Sequence, residues 1–175
     1  MEQLNSKRIF FALWPDAQVR NQLQKLLSQF TAEVGQRHAP EDLHLTLVFI
    51  GQVGPEYYQC LRQTAVQVEF EPFAFELSRY GYFAKARVVS VEPDTAPLLA
   101  ELAQKLKNNL RSCGYKPERR EYRPHVTLLR KSPPPLEPAA FEPIVWTADR
   151  FCLVESHAPK NGRRYTVLEE FCAKF

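Results

Sequence analysis

Apolar positions along this chain switch between a period near two and a period near 3.6, and the switches divide it into elements. "RIFFALW" (8–14) is an almost unbroken apolar run closed by Pro15, and it predicts a buried strand. Asp16 is a capping residue, and behind it Val19, Leu23, Leu26, Leu27 and Phe30 recur at helical spacing. "HAPEDLHLTLVFIG" reads as a loop, a strand and a glycine stop. Pro55 then opens a second helix with Tyr58, Leu61, Ala65 and Val68 on its inner stripe. "FAFELSRYGYF" and "ARVVSVE" predict strands joined by a hairpin around Gly81 to Lys85. "DTAPLLAELAQKLKNNLRSCG" predicts a long helix with Asp94 or Thr95 as cap, Pro97 in the first turn and Gly114 as stop. The basic loop "YKPERREYRP" leads into the strand "HVTLLRK", and the proline-dense "SPPPLEPAAFEP" predicts an extended linker. "WTADRFCLVESH" and "RRYTVLEEF" close the chain as two alternating strands around a turn at Asn161-Gly162.

Helices alternate with strands, but hairpins are too frequent for a parallel, doubly wound sheet. The pattern predicts an α+β protein, a single domain over residues 1–175. It would have two lobes of largely antiparallel strands with helices on the outer face, each lobe supplying one of the two strands that begin with His-x-Thr. Its 175 residues suffice for one full core, and 45% apolar with 25% charged residues is ordinary globular composition. No apolar run approaches the roughly 18 residues of a membrane helix, and the N-terminus makes a poor signal peptide, so a cytoplasmic protein is expected. Cys60, Cys113, Cys152 and Cys172 form no C-x-x-C pair; free, buried thiols are expected, with a Cys152–Cys172 disulfide left open because both lie in adjacent predicted strands. A net charge of +3 neither demands nor opposes a polyanionic partner.

The chemistry of the chain lies in a repeated tetrad, "HLTL" at 44–47 and "HVTL" at 125–128. Residues i and i+2 of a strand share a face, so His44 points with Thr46 and His125 with Thr127, while the apolar partners anchor each strand behind them. Facing one another across a groove, two imidazoles can act as acid and base on either side of a phosphorus, with threonine hydroxyls donating to its non-bridging oxygens. Arg130 could reach the same anion, although its odd spacing from Thr127 puts it on the opposite face unless the strand bulges. A lone histidine at a strand start is more often structural; two such tetrads outweigh that reading. Neither tetrad has a neighbouring Asp, Glu or Cys on its face, which weakens a metal site. His38 and His157 stand isolated and read as surface or structural residues.

Paired His-x-Thr motifs are the mark of the 2H phosphoesterase superfamily, which this chain resembles over nearly its whole length. The likeness is greatest to the RNA 2′,3′-cyclic phosphodiesterases, also called 2′-5′ RNA ligases, through "RIFFALWPD", "DLHLTLVFIGQV", "RPHVTLLRK" and "GRRYTVLEEF". The resemblance implies a bilobal α+β fold around a groove and hydrolysis of a terminal 2′,3′-cyclic phosphate on RNA to a 2′-phosphomonoester. It implies no cofactor or metal, and a reversible, ATP-independent 2′-5′ ligation. Carried over, His44 is the proton donor, His125 the proton acceptor, and Thr46, Thr127 and Arg130 hold the phosphate. Arg119, Arg120 and Arg123 in the basic loop are candidate RNA contacts, and Phe10, Phe11, Trp14 and Tyr122 candidate stacking residues. The expected partners are RNA ends with a cyclic phosphate, tRNA-derived ones among them, and the expected state is a monomer away from membranes. Two alternatives remain: a phosphodiesterase for small cyclic nucleotides or 2′-5′ oligonucleotides, and an RNA-binding module without turnover.

Overall fold

A computed structural model describes residues 6–31, 33–135 and 140–174. Its strands are β1 (Lys7–Leu13), β2 (Gln36–Arg37), β3 (Leu45–Val53), β4 (Phe73–Leu77), β5 (Arg79–Phe83), β6 (Val88–Glu92), β7 (Val126–Arg130), β8 (Ile144–Ala148), β9 (Arg150–Lys160) and β10 (Arg163–Cys172). Three helices, α1 (Ala17–Ser28), α2 (Pro55–Ala65) and α3 (Pro97–Leu110), interrupt them. The fold is α+β, as expected. Seven strands form the path β10-β9-β1-β3-β7-β6-β5 of one sheet, β2 adds to β7, and β4 and β8 make a separate pair.

Strand β1 shows how its sequence sets the layers. Ile9, Phe11 and Leu13 join the main core, which also takes Val19, Leu23 and Leu26 of α1, Leu61 of α2 and Leu99, Leu102 and Leu106 of α3. Phe10 and Ala12 point the other way and form a second cluster with Cys152, Val154 and Tyr165. A strand buried on both faces reads as a continuous apolar run, which is why "IFFAL" shows no alternation. The helices therefore pack on one face of the sheet, leaving the opposite face for the groove.

The sheet has two halves of like construction. In one, β1 is followed by α1 and then by β3, which returns antiparallel beside β1; in the other, β6, α3 and β7 repeat the arrangement. The halves meet between β3 and β7 at a single residue pair, Leu45 with Val126. These are the second residues of the two tetrads.

Several elements depart from the sequence pattern. "FAFELSRYGYF" is two strands in two sheets: β4 pairs with β8, and β5 with β6. Ser78 makes the break, its N–H donating to Glu92 O at 2.9 Å. "WTA" accordingly leaves the predicted strand to form β8. Gly51 does not stop β3; it takes φ +98° where the strand passes a bulge and continues to Val53. Neither Asp94 nor Thr95 caps α3, since Ala96 holds the N-cap position without a side-chain bond and Pro97 needs no acceptor for a missing N–H. Asn161 and Gly162, both at positive φ, make the expected turn.

The cysteines also depart from expectation. Cys60 in α2 and Cys113 just past α3 form a disulfide across 53 positions of sequence, while Cys152 is buried and free and Cys172 exposed and free. Helices α2 and α3 pack side by side, a proximity that spacing along the chain cannot reveal. In the proline-dense linker, residues 136–139 lie outside the described residues. No described helix is long and apolar enough to cross a membrane.

Candidate active site

The joint between β3 and β7 sets the geometry of the groove. Extending the Leu45–Val126 register by one residue places His44 opposite Thr127 and Thr46 opposite His125. Each threonine thus neighbours the histidine of the other tetrad. The apolar anchors Leu45, Leu47, Val126 and Leu128 lie in the core behind them.

Both histidines are held in the same way. Nδ1 of His44 lies 2.7 Å from Asp42 O, and Nδ1 of His125 lies 2.9 Å from Arg123 O, in each case two residues back. A carbonyl only accepts, so Nδ1 carries the proton and Nε2 is left as the working atom. His44 is walled by aromatic rings: Trp14 stacks on it at 5.0 Å, Phe10 lies at 5.0 Å and Tyr165 meets it edge-on at 4.8 Å. Phe83 lies 4.6 Å from His125.

These surroundings depress both titrations. Burial lowers the His44 pKa to about 4, aided by the charge of Arg130 and opposed by the bond to Asp42 O. Burial likewise lowers that of His125, with Arg123 and Arg130 adding to the fall, while the Arg123 carbonyl and the Glu92 carboxylate push upward. Both rings are therefore neutral at pH 7 in the free protein.

Arg130 reaches the groove through a bulge. On β6, Val89 pairs with Leu129 and Ser90 with Thr127, so Leu128 is the extra residue and shifts Arg130 into phase with Thr127. Strand β3 bulges at the equivalent place: Ala12 pairs with Thr46 and Phe11 with Val48, leaving Leu47 unpaired. The fourth residue of each tetrad is thus the bulge, and Phe49 is the counterpart of Arg130. The Arg130 guanidinium donates to His38 Nε2 at 2.9 Å and to the Tyr165 hydroxyl at 3.4 Å. Burial and Arg130 lower the His38 pKa to about 3, keeping Nε2 an acceptor.

Two cavities meet at Thr46 and Phe49. One, of about 170 Å³, is lined by Arg8, Phe10, His44, Arg130, Ser156 and Tyr165 besides the shared pair. The other, of about 610 Å³, takes in His125, Phe83, Tyr122, Lys107, Arg120 and Arg123 among its walls. A larger cavity, of about 640 Å³ around Glu69, Leu98 and Lys174, involves none of the histidines or threonines.

The structure thus brings His44, Thr46, His125 and Arg130 to the two adjoining cavities, while Thr127, beside His44 by register, lines neither. Of the basic loop, Arg120 lines the groove and pairs with Glu118 at 3.0 Å, and Arg123 bonds Glu92 at 2.6 Å and covers Phe83 at 3.9 Å. Arg119 is exposed and lines neither cavity. Among the stacking candidates, Phe11 belongs to the core, Phe10 and Trp14 serve His44, and Tyr122 donates its hydroxyl to Thr46 O at 2.9 Å. Sequence reasoning missed Phe49 and Tyr165 and undervalued His38. None of the three carried a signal within its own segment, because Phe49 enters through a bulge set by pairing with β1 and Tyr165 and His38 come from distant elements. His157 is half-buried, bonded to Thr166 Oγ1 at 2.9 Å and to Ala158 O. No group of three potential metal ligands occurs among the described residues.

Two imidazoles, a threonine hydroxyl and a guanidinium on adjoining cavities make a candidate site for a phosphoester. The chain belongs to the 2′-5′ RNA ligase superfamily, whose family model matches residues 14–160. It is 30% identical to the RNA 2′,3′-cyclic phosphodiesterase of Escherichia coli over 169 residues, covering 94% of this chain and 96% of that one. Another, from Thermus thermophilus, is also 30% identical, across 94% of this chain and 89% of its own. A crystal structure of E. coli LigT complexed with 3′-AMP superposes with a TM-score of 0.89 at 28% identity, covering 98% of this chain and 100% of that one.

Proposed function

We propose that the protein hydrolyses a terminal 2′,3′-cyclic phosphate on RNA to a 2′-phosphomonoester. The observation that carries this reading is the Leu45–Val126 joint, which joins the two tetrads while each histidine bonds back to the chain through Nδ1 and leaves Nε2 free. In the proposed reaction a water oxygen attacks phosphorus as its proton passes to His125 Nε2. The P–O3′ bond breaks, and the proton on His44 Nε2 goes to the departing O3′. Thr46, Thr127 and Arg130 donate to the non-bridging oxygens, where charge accumulates. Phe49, 41% exposed between the two cavities, offers a face on which a base can stack, and Arg120, with Arg119 and Arg123 nearby, suits phosphates further along the strand. The two halves of the sheet support reading residues 1–175 as one domain of two pseudo-symmetric lobes.

The roughly 610 Å³ cavity on the His125 side favours a second reading beside the first, since it is far larger than a water needs. An RNA 5′-hydroxyl entering there would replace water as nucleophile and leave a 2′-5′ bond, without ATP.

The test is an RNA oligonucleotide ending in a 2′,3′-cyclic phosphate, incubated with the protein in excess EDTA. The expected product carries a 2′-phosphate. A 3′-phosphate would assign the broken bond wrongly, and turnover that stops in chelator and returns with a divalent ion would overturn the two-histidine mechanism. Equal kcat/KM on a mononucleotide cyclic phosphate would favour a small-nucleotide enzyme, and binding without turnover an RNA-binding module.

A further inference from the structure

Two buried carboxylates lie just behind the histidines, and the proposed chemistry uses neither. Asp42 is 1% exposed and Glu92 2% exposed. Neither lines the two cavities that meet at Thr46 and Phe49. Burying a carboxylate is costly unless it is paired, so each should be sought in what it holds.

Each holds the residue whose carbonyl receives a histidine proton. Asp42 is itself the acceptor for His44. Its Oδ2 takes the backbone N–H of Arg164 at 2.7 Å, and Arg163 lies 3.6 Å from Oδ1, which ties the turn before β3 to β10. Arg123 is the acceptor for His125. Its guanidinium lies 2.6 Å from Glu92 Oε1, and Glu92 also pairs with Arg79 at 3.5 Å and accepts from Ser90 Oγ at 3.2 Å. Gly81 on the neighbouring strand makes room for this carboxylate: a Cβ there would clash with Oε1.

We propose that Asp42 and Glu92 are matched positioning residues, each fixing the backbone carbonyl that sets the ring orientation and tautomer of one groove histidine. The inference rests on the two-histidine reading above for its catalytic meaning, but not for its geometry. An imidazole aims its Nε2 only as well as its Nδ1–H acceptor is placed, and an error of about 1 Å in a reacting group can cost a hundredfold. For His125 there is an electrostatic effect as well. The charged groups acting most on it are Glu92 from β6, Arg123 from the preceding loop, Arg130 from its own strand and, when protonated, His44 across the joint; Phe83 from β5 is neutral. Lys107 of α3 and Glu118, Arg120 and Glu121 of the basic loop line the same cavity, and of the groups nearest the ring Glu92 supplies the negative charge.

The experiment follows the imidazole nitrogens by NMR in ¹⁵N-labelled full-length protein and measures kcat and KM on cyclic-phosphate RNA. It compares wild type with Glu92→Gln, Asp42→Asn and Gly81→Ala. In Glu92→Gln the His125 Nδ1–H tautomer should lose population and its titration midpoint should move to lower pH. The acid limb of kcat should follow it, and kcat should fall 10- to 100-fold with KM within threefold. Asp42→Asn should disturb the His44 tautomer in the same manner. Gly81→Ala pushes the Glu92 carboxylate aside while keeping its charge, so it should lower kcat and disturb the tautomer even if Glu92→Gln fails to fold. A folded Glu92→Gln protein with wild-type tautomer, midpoint and kcat overturns the proposal; so does a fall in kcat with both His125 observables unchanged. The NMR arm needs no turnover. A tautomer shift in a protein inactive on cyclic-phosphate RNA would therefore sink the functional reading and leave the positioning role standing.

Discussion

At the scale of the residue, the depressed histidines have consequences for both activity and stability. With the His44 pKa at about 4, the proposed proton donor is mostly unprotonated in the free protein at pH 7. A bound phosphate opposes the charge of Arg130 and favours the protonated rings, raising both values in the complex. The falling limb of kcat/KM, which reports the free protein, should therefore lie at lower pH than that of kcat. Measuring both profiles on cyclic-phosphate RNA checks this; coincident limbs would count against His44 as donor. Stability follows from the same shifts. His38, at about 3, His44, at about 4, and His125 are all lowered below the unfolded value near 6.5. The unfolded chain thus binds more protons as pH drops through 6.5, so stability is full above that point and is lost as pH falls toward the folded values. Thermal melts from pH 7 to pH 4 should show a steep decline in Tm, and His38→Gln should make it shallower.

At the scale of the element, the bulges decide which side chains share the groove. Without the extra Leu128, Arg130 would follow simple alternation away from Thr127, the arrangement the sequence by itself predicts. A bulge depends on how a neighbouring strand pairs, so nothing within "HVTLLRK" announces it. The same holds for Phe49 beyond Leu47. Gly51 shows the reverse case, a residue whose signal was visible but ambiguous. Its φ of +98° would suit a strand end, yet it occurs inside β3 beside the unpaired Ile50. A Cβ at Gly51 would meet only the Phe49 ring at 3.6 Å, so Gly51→Ala should cost backbone strain alone. We expect about 1–2 kcal/mol, a fall in Tm of roughly 2–8 °C, readable in a thermal melt with the far-UV spectrum unchanged. A variant as stable as the parent would show that β3 relaxes at this position.

At the scale of the whole molecule, the Cys60–Cys113 bridge closes a long loop and joins α2 to the end of α3. The basic loop that leads to His125 starts directly after it. By the chain-entropy relation a loop of this length stabilises by about 4 kcal/mol. Cys60→Ser, or a dithiol reductant, should then lower Tm by roughly 10 °C, and an unchanged Tm would show that the bridge does not form in solution. The basic loop gives a second test at this scale. Arg120 lines the groove but Arg119 lines neither cavity, so Arg120→Ala should raise KM for an oligonucleotide and flatten its salt dependence. Arg119→Ala should do so less. What the sequence by itself determined was local: the strands and helices whose apolar spacing leaves one solution, and the two tetrads, because alternation along a strand puts His and Thr on one face. Tertiary structure alone decided where those faces meet. The Leu45–Val126 joint, the bulges that bring in Arg130 and Phe49, the buried carboxylates behind the histidines and the disulfide are all contacts between segments distant in the chain. Their geometry depends on how strands and helices pair and pack, which no periodicity records.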